Sequence, residues 1–146
     1  MPAASSAKLY SPALLSLATE LAQYPLADDL PLTAETRSRS CGSVIALGLA
    51  LSEQGNVVRI GMQVSACAIG QASAALLARA AIGCDAGQIA ATAAGLAAWL
   101  EGEGDLPDWP GLNTLLPARA HPGRHGALLL PWTAACSALS SGVQAG

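Results

Sequence analysis

Two apolar runs joined by a short turn signal constrain this chain more than any other feature. Val44-Ile45-Ala46-Leu47-Gly48-Leu49-Ala50-Leu51 and Val57-Val58-Arg59-Ile60-Gly61-Met62-Gln63-Val64 flank Gln54-Gly55-Asn56. Aliphatic and β-branched runs on either side of a Gly-Asn turn predict a two-stranded antiparallel hairpin. The first run is apolar at nearly every position, which predicts a central strand with helices on one face. A hairpin brings its two ends together. Cys41 and Cys67, 26 positions apart, are therefore expected as neighbours at one end of a small sheet.

What covers such a hairpin follows from the side chains on offer. Hydrophobic residues make up 52% of the 146, but aromatic residues only 3%, with no Phe. A core of this kind packs by close approach of small side chains, which favours helices lying tightly on a flat sheet. Ser11-Pro12 gives a hydroxyl cap and a proline at the first helical position, predicting a helix over 12–23 that Tyr24-Pro25 ends. Asp28-Asp29, between prolines, reads as a solvated turn because adjacent carboxylates diverge. Residues 33–40 alternate small or hydroxyl side chains with charged ones, as an exposed edge strand leading into Cys41 would.

Beyond the hairpin, residues 68–81 place Ile69, Ala72, Leu76 and Ala80 on one face of a helix stopped by Gly83. Asp85 and Gln88 form a capping-box signature, and the helix it opens lines up Ile89, Ala93, Leu96 and Leu100. Residues 102–123 are a Pro/Gly-rich crossing with a helical turn near Gly111 to Leu116, pinned by Trp109, Leu112, Leu115 and Leu116. The last helix, 127–141, carries Leu128, Trp132, Ala135 and Leu139 on one face. Pro131 is expected within its first turn, which puts the start near Gly126. The expectation is one α+β domain over 10–141, with a flexible segment 1–9 and a flexible tail 142–146. Its core is a small antiparallel sheet packed against four to five helices.

Charge and cysteine usage narrow the function classes. Net charge is −3 and the seven basic residues are scattered, which argues against a nucleic-acid or anionic-membrane partner, since both need a basic footprint. No run reaches the roughly 18 apolar residues of a membrane span. The segment Met1 to Lys8 lacks the charged front and apolar block of a signal peptide. A cytoplasmic, reducing setting with the four cysteines as free thiols is the expectation.

Cys67 opens a helix, where unpaired N–H groups and the positive end of the dipole favour a thiolate, the form that binds metals or attacks sulfur. Cys41, followed by Gly42, sits where the backbone can turn sharply and leave a thiol accessible. A free cysteine is also a common small core residue, and residue types alone leave both readings open. Cys84, in an interhelical turn, and Cys136, beside core positions on a helix, read as structural. His121 and His125 precede the final helix, and either could complete a site if that loop folds over the thiols.

Taken together, Cys41-Gly42-Ser43 before the hairpin, Cys67-Ala68-Ile69-Gly70-Gln71-Ala72-Ser73 opening a helix, and Arg124-His125-Gly126-Ala127 followed by Leu130-Pro131-Trp132 resemble the NifU/IscU-type iron–sulfur cluster assembly scaffold family. The resemblance runs from Tyr10 to Leu139. It implies a three-stranded antiparallel sheet with helices packed on it (a NifU/IscU-like, SufE-like fold). It also implies a carrier rather than an enzyme: a chain that transiently holds a [2Fe–2S] cluster, iron or zinc, takes sulfur from a cysteine desulfurase and passes clusters to apo iron–sulfur client proteins. Cys41 matches the first family cysteine and Cys67 the second. Ser43 stands where the family usually has Asp, Ala127 where it has its third cysteine, and Gly126 where a histidine often precedes that cysteine. His125 lies one residue away, and Arg124 takes a place where a basic residue is common.

Iron–sulfur clusters and zinc both ask for four ligands, normally Cys or His. Cys41, Cys67 and His125 fall short of that within one chain. Three arrangements remain: a weaker site using His125 and water, a cluster bridged between two chains of a homodimer, or no cluster at all. In the last case Cys41 accepts persulfide sulfur from the desulfurase, or the domain serves only as an interaction module.

Overall fold

The computed structural model describes residues 9–39 and 42–145, with side chains as far as residue 141. The expected flexible segment 1–9 lies almost wholly outside these residues, and so does Cys41. Three strands, β1 (Leu32–Arg37), β2 (Val44–Leu51) and β3 (Val57–Ser65), form an antiparallel sheet in the order β1-β2-β3. Leu47 of β2 pairs with Ala34 of β1 and with Met62 of β3. The apolar run thus became the central strand because it alone has two neighbours to cover its edges. Its alternate side chains Ile45, Leu47 and Leu49 are fully buried.

Helices cover that buried face. They are α1 (Pro12–Glu20, continued as a 3₁₀ turn Leu21–Gln23), α2 (Ala68–Ala81), α3 (Ala86–Leu100) and α4 (His125–Ala145). Helix α4 lies across β1 and β2, α2 lies against β3, and α2 is held between α1 and α4. That position explains the composition of α2: Gly70, Ala72, Ser73, Ala74, Ala75 and Ala78 are all buried. Larger side chains would keep three neighbouring elements from approaching it. Local signals set the helix ends. The Ser11 hydroxyl accepts the Leu14 N–H at 3.2 Å, and Asp85 and Gln88 make the reciprocal capping box with both bonds at 2.9 Å. Gly83, at φ +90°, turns the chain out of α2.

The sheet's other face is covered over part of its area by the chain itself. Gly48 and Gly61 pair across β2 and β3, and the segment after α1 runs over them. A Cβ on Gly48 would fall 2.8 Å from the Leu30 Cβ, and one on Gly61 would collide with the Pro25 carbonyl. The Met62 N–H donates to the Tyr24 carbonyl at 2.9 Å. Asp29 and Arg59 pair over this crossing at 2.8 Å, and the Arg59 guanidinium holds the exposed Asp29 carboxyl below its ordinary range. Asp28-Asp29 is a solvated turn, and the neighbouring strand recruits the second carboxylate.

One expectation fails at α4. Pro131 is not in the first turn but is the seventh residue of a helix that starts at His125, directly after 3₁₀ segments Leu112–Ala120 and Pro122–Arg124. A proline so far inside a helix leaves the carbonyl four residues back, that of Ala127, without its helical donor. The next carbonyl, that of Leu128, accepts from a side chain of α2 described below. Trp132, next to this missing bond, is fully buried and meets the Trp109 ring edge-on at 4.9 Å, while Trp109 Nε1 donates to the Leu76 carbonyl at 2.9 Å. The crossing over 102–123 is therefore pinned to the body, as its apolar residues imply.

Candidate functional site

The β1–β2 connection, the end of β3 and the starts of α2 and α4 meet at one end of the sheet. The β1–β2 loop is closed by Ser38, whose N–H donates to the Ser43 carbonyl at 2.8 Å and whose carbonyl accepts from Gly42 at 3.1 Å. Gly42 has φ +73°, a left-handed conformation that favours glycine. Val44 then pairs with Ser65, two residues before Cys67. The described residues on both sides of Cys41 are thus placed at the end of the sheet where Cys67 lies; Cys41 itself is outside the described residues.

Cys67 is the N-cap of α2, extended at φ −66° and ψ 171°, half-exposed, and without a side-chain capping bond. Its surroundings are tied down by Gln71. The Gln71 backbone N–H donates to the Cys67 carbonyl at 3.0 Å, and its side-chain Nε2 donates to the Ala66 carbonyl at 2.9 Å. No disulfide engages Cys67, Cys84 or Cys136. Burial, with the Asp85 carboxylate adding to it, pushes the Cys84 thiol pKa up, and burial alone does the same for Cys136. Cys84 donates to the Ala80 carbonyl at 3.3 Å. Both behave as the structural cysteines their positions imply.

Helix α4 brings Ala127 against the start of α2. Ala127 is 1% exposed, and a Cβ built on Gly70 would lie 3.2 Å from the Ala127 Cβ and 2.8 Å from that of Ala66. The position matching the family's third cysteine therefore faces the first turn of α2, beside Cys67, but presents a methyl. His125 opens α4 and is half-buried, and its Nε2 lies 2.9 Å from the Arg119 carbonyl. A carbonyl oxygen only accepts, so Nε2 is the donor in this contact. His121 caps the preceding 3₁₀ segment. Among the described residues no three or more His, Cys, Asp or Glu side chains gather closely enough to hold a metal ion.

Charged side chains of both signs stand around this end, Glu35 beside Arg37 on the exposed face of β1. Arg37, Arg39 and Arg124 have no carboxylate partner among the described residues, whose ion pairs, Asp29–Arg59 and Glu20–Arg79, lie elsewhere. Sequence reasoning quoted Ser73 only as the end of the Cys67 motif and gave it no role. It is fully buried on α2, donates to the Leu128 carbonyl of α4 at 2.6 Å, and accepts from Trp132 Nε1 at 3.0 Å. A hydroxyl in an alanine-rich helix, together with a proline deep in another, was the available signal.

No protein-family model matches the chain, and no curated protein sequence matches it. Solved structures do. A nitrogen-fixing NifU-like protein (N-terminal) from Brucella abortus superimposes with a TM-score of 0.90 at 24% identity, over 97% of this chain and 99% of that one. A candidate iron–sulfur cluster assembly scaffold protein for the SUF system from Fervidobacterium islandicum AW-1 gives a TM-score of 0.80 at 20% identity, over 92% and 98%. The chain has the NifU-like fold, an α+β arrangement of a three-stranded antiparallel sheet and helices, at low sequence identity. No helix among the described residues is long and apolar enough to cross a membrane.

Proposed function

We propose that the chain is a carrier in iron–sulfur cluster assembly, holding iron and sulfide as cargo through the thiolates of Cys41 and Cys67, with His125 as the nearest additional donor. The observation that carries this reading is the convergence of Cys67, the loop Ser38 to Ser43 and the start of α4 at one end of the sheet, in a fold shared with NifU-like proteins. Arg37, Arg39 and Arg124, without ion-pair partners among the described residues, suit cargo that is anionic once thiolates bind it. A cysteine desulfurase would supply the sulfur and apo iron–sulfur proteins would receive the cluster. In this role the chain binds and passes on cargo and is not an enzyme.

The methyl of Ala127 and the hydroxyl of Ser43 leave each chain two thiols where a [2Fe–2S] unit takes four. A second copy presenting the same pair completes the set, since a two-fold axis places a patch opposite itself. The same shortage of donors favours a second reading, in which Cys41 accepts sulfur alone. Its thiolate attacks the terminal sulfur of the partner's cysteine persulfide, the S–S bond breaks, and the partner's thiolate leaves, so that one sulfur atom moves with no outside oxidant.

Anaerobic reconstitution with iron and sulfide, read by visible absorption, tests the first reading: the protein freed of excess reagents should stay coloured. Mass spectrometry after incubation with a desulfurase and cysteine tests the second. A colourless protein with one added sulfur at Cys41 would favour the relay, and a protein showing neither would remove both.

A further inference from the structure

We propose that Ser73 is the positioning residue of this site. Its hydroxyl clamps residues 125–130 of α4 onto the N-terminal half of α2 and so sets the distance between Cys67 and His125. The inference rests on reading this end of the sheet as the cargo site.

Pro131 has no N–H to give, and its ring crowds the Ala127 carbonyl, so α4, though continuous as a helix, lacks the bond to that carbonyl and is weakened there. Ser73 supplies the tie from another helix. It donates to the Leu128 carbonyl, on the N-terminal side of the proline, and accepts the indole N–H of Trp132, on the C-terminal side. One hydroxyl thereby spans the missing bond. The residues one turn away from Ser73 on α2, Ile69, Gly70, Leu76 and Leu77, are all buried and apolar, so a residue needed only to fill space there would not be polar, because a buried hydroxyl costs stability unless it is fully bonded. Gly70, one turn earlier, seats the Ala127 methyl. Ser73 follows Cys67 on the same helix, and Leu128 follows His125 on the other, so the bond joins the two halves of the site.

Amide hydrogen exchange and competitive zinc binding on four proteins test this: the parent, Ser73→Ala, Ser73→Ala with Pro131→Ala, and Trp132→Phe. In Ser73→Ala, exchange over 126–130 should quicken about tenfold or more relative to β2 and the middle of α2, as loss of a buried hydrogen bond at a locally opening segment implies. Pro131→Ala returns an N–H to the Ala127 carbonyl and should recover most of that protection. Zinc affinity should drop severalfold in Ser73→Ala and recover in the double variant. Quickening spread evenly over α2, β2 and α4 would reduce Ser73 to general packing and overturn the proposal. Local quickening with unchanged zinc affinity would leave a clamp that positions nothing, and overturn it too. Should Ser73→Ala fail to fold, Trp132→Phe removes the indole N–H together with part of the buried ring, and it must quicken exchange over 126–130 more than in β2 and the middle of α2; no such local quickening overturns the clamp. If the parent binds neither zinc nor cluster, the cargo reading falls, and the positioning role falls with it even where the exchange pattern upholds the clamp.

Discussion

Gly70→Ala puts a number on how tightly the two halves of the site are pressed together. The added Cβ would stand 2.8 Å from the Ala66 Cβ and 3.2 Å from both the Ala127 Cβ and the Ala127 carbonyl oxygen. None of these is the far end of a flexible side chain, so backbone must move. Overfilling a close-packed interior costs about 1–3 kcal/mol. Replacing glycine by alanine inside a helix returns about 1 kcal/mol. The net expectation is a loss of about 1 kcal/mol, or roughly a 3 °C fall in Tm for a chain of this size. The denaturant slope should not change. Because the atoms that must yield belong to the start of α4 and the residue before Cys67, zinc affinity should weaken more than stability does. Urea unfolding with parallel zinc competition measures both. A variant stabilised by about 1 kcal/mol, the bare helix-propensity gain, with unaltered zinc affinity would show that α2 and α4 do not press together here.

Other expectations concern single side chains. His125→Ala should lower zinc affinity severalfold by competition assay, whereas equal affinity would return His125 to a role confined to bonding Arg119. Ala127→Cys should raise zinc affinity and let a cluster form on one chain, seen as a coloured monomer by size-exclusion chromatography. At pH 7–8 Cys84 and Cys136 should be alkylated by iodoacetamide more slowly than in the urea-unfolded chain, since their folded-state pKa values are raised. By the same shifts the unfolded chain loses those thiol protons first, so stability should decline as pH rises past about 8.5. A flat stability curve from pH 7 to 10 would contradict that.

Elements whose causes are local were legible in the sequence. The capping box Asp85/Gln88, the Gly83 stop and the span 68–81 of α2 depend on neighbours a few residues away, and all appear as expected. The central strand was legible because an unbroken apolar run leaves few other places to go. What depends on distant partners was not. Pro131 looked like a helix start because its local rule says so; that it sits seven residues in, between a carbonyl and an indole both bonded to Ser73 of another helix, depends on partners 55 and 59 positions apart. The Gly48–Gly61 pair gives no sign by itself that residues 24–30 will cross the sheet above it. Motif spacing matched Ala127 to a position beside the Cys67 helix, and Ala127 does pack against the first turn of α2. The direction of the His125 ring, set by the Arg119 carbonyl, could only come from the fold.

Iron and sulfide per chain after anaerobic reconstitution, measured on the parent and on Cys67→Ala with mass from light scattering, test the central claim most directly. The parent should retain about one [2Fe–2S] unit per two chains and run as a dimer when loaded and a monomer when apo. Cys67→Ala should retain neither iron nor sulfide and stay monomeric, while keeping its fold by circular dichroism. A Cys67→Ala protein that holds as much iron and sulfide as the parent would place the cargo elsewhere and contradict the assignment of this end of the sheet.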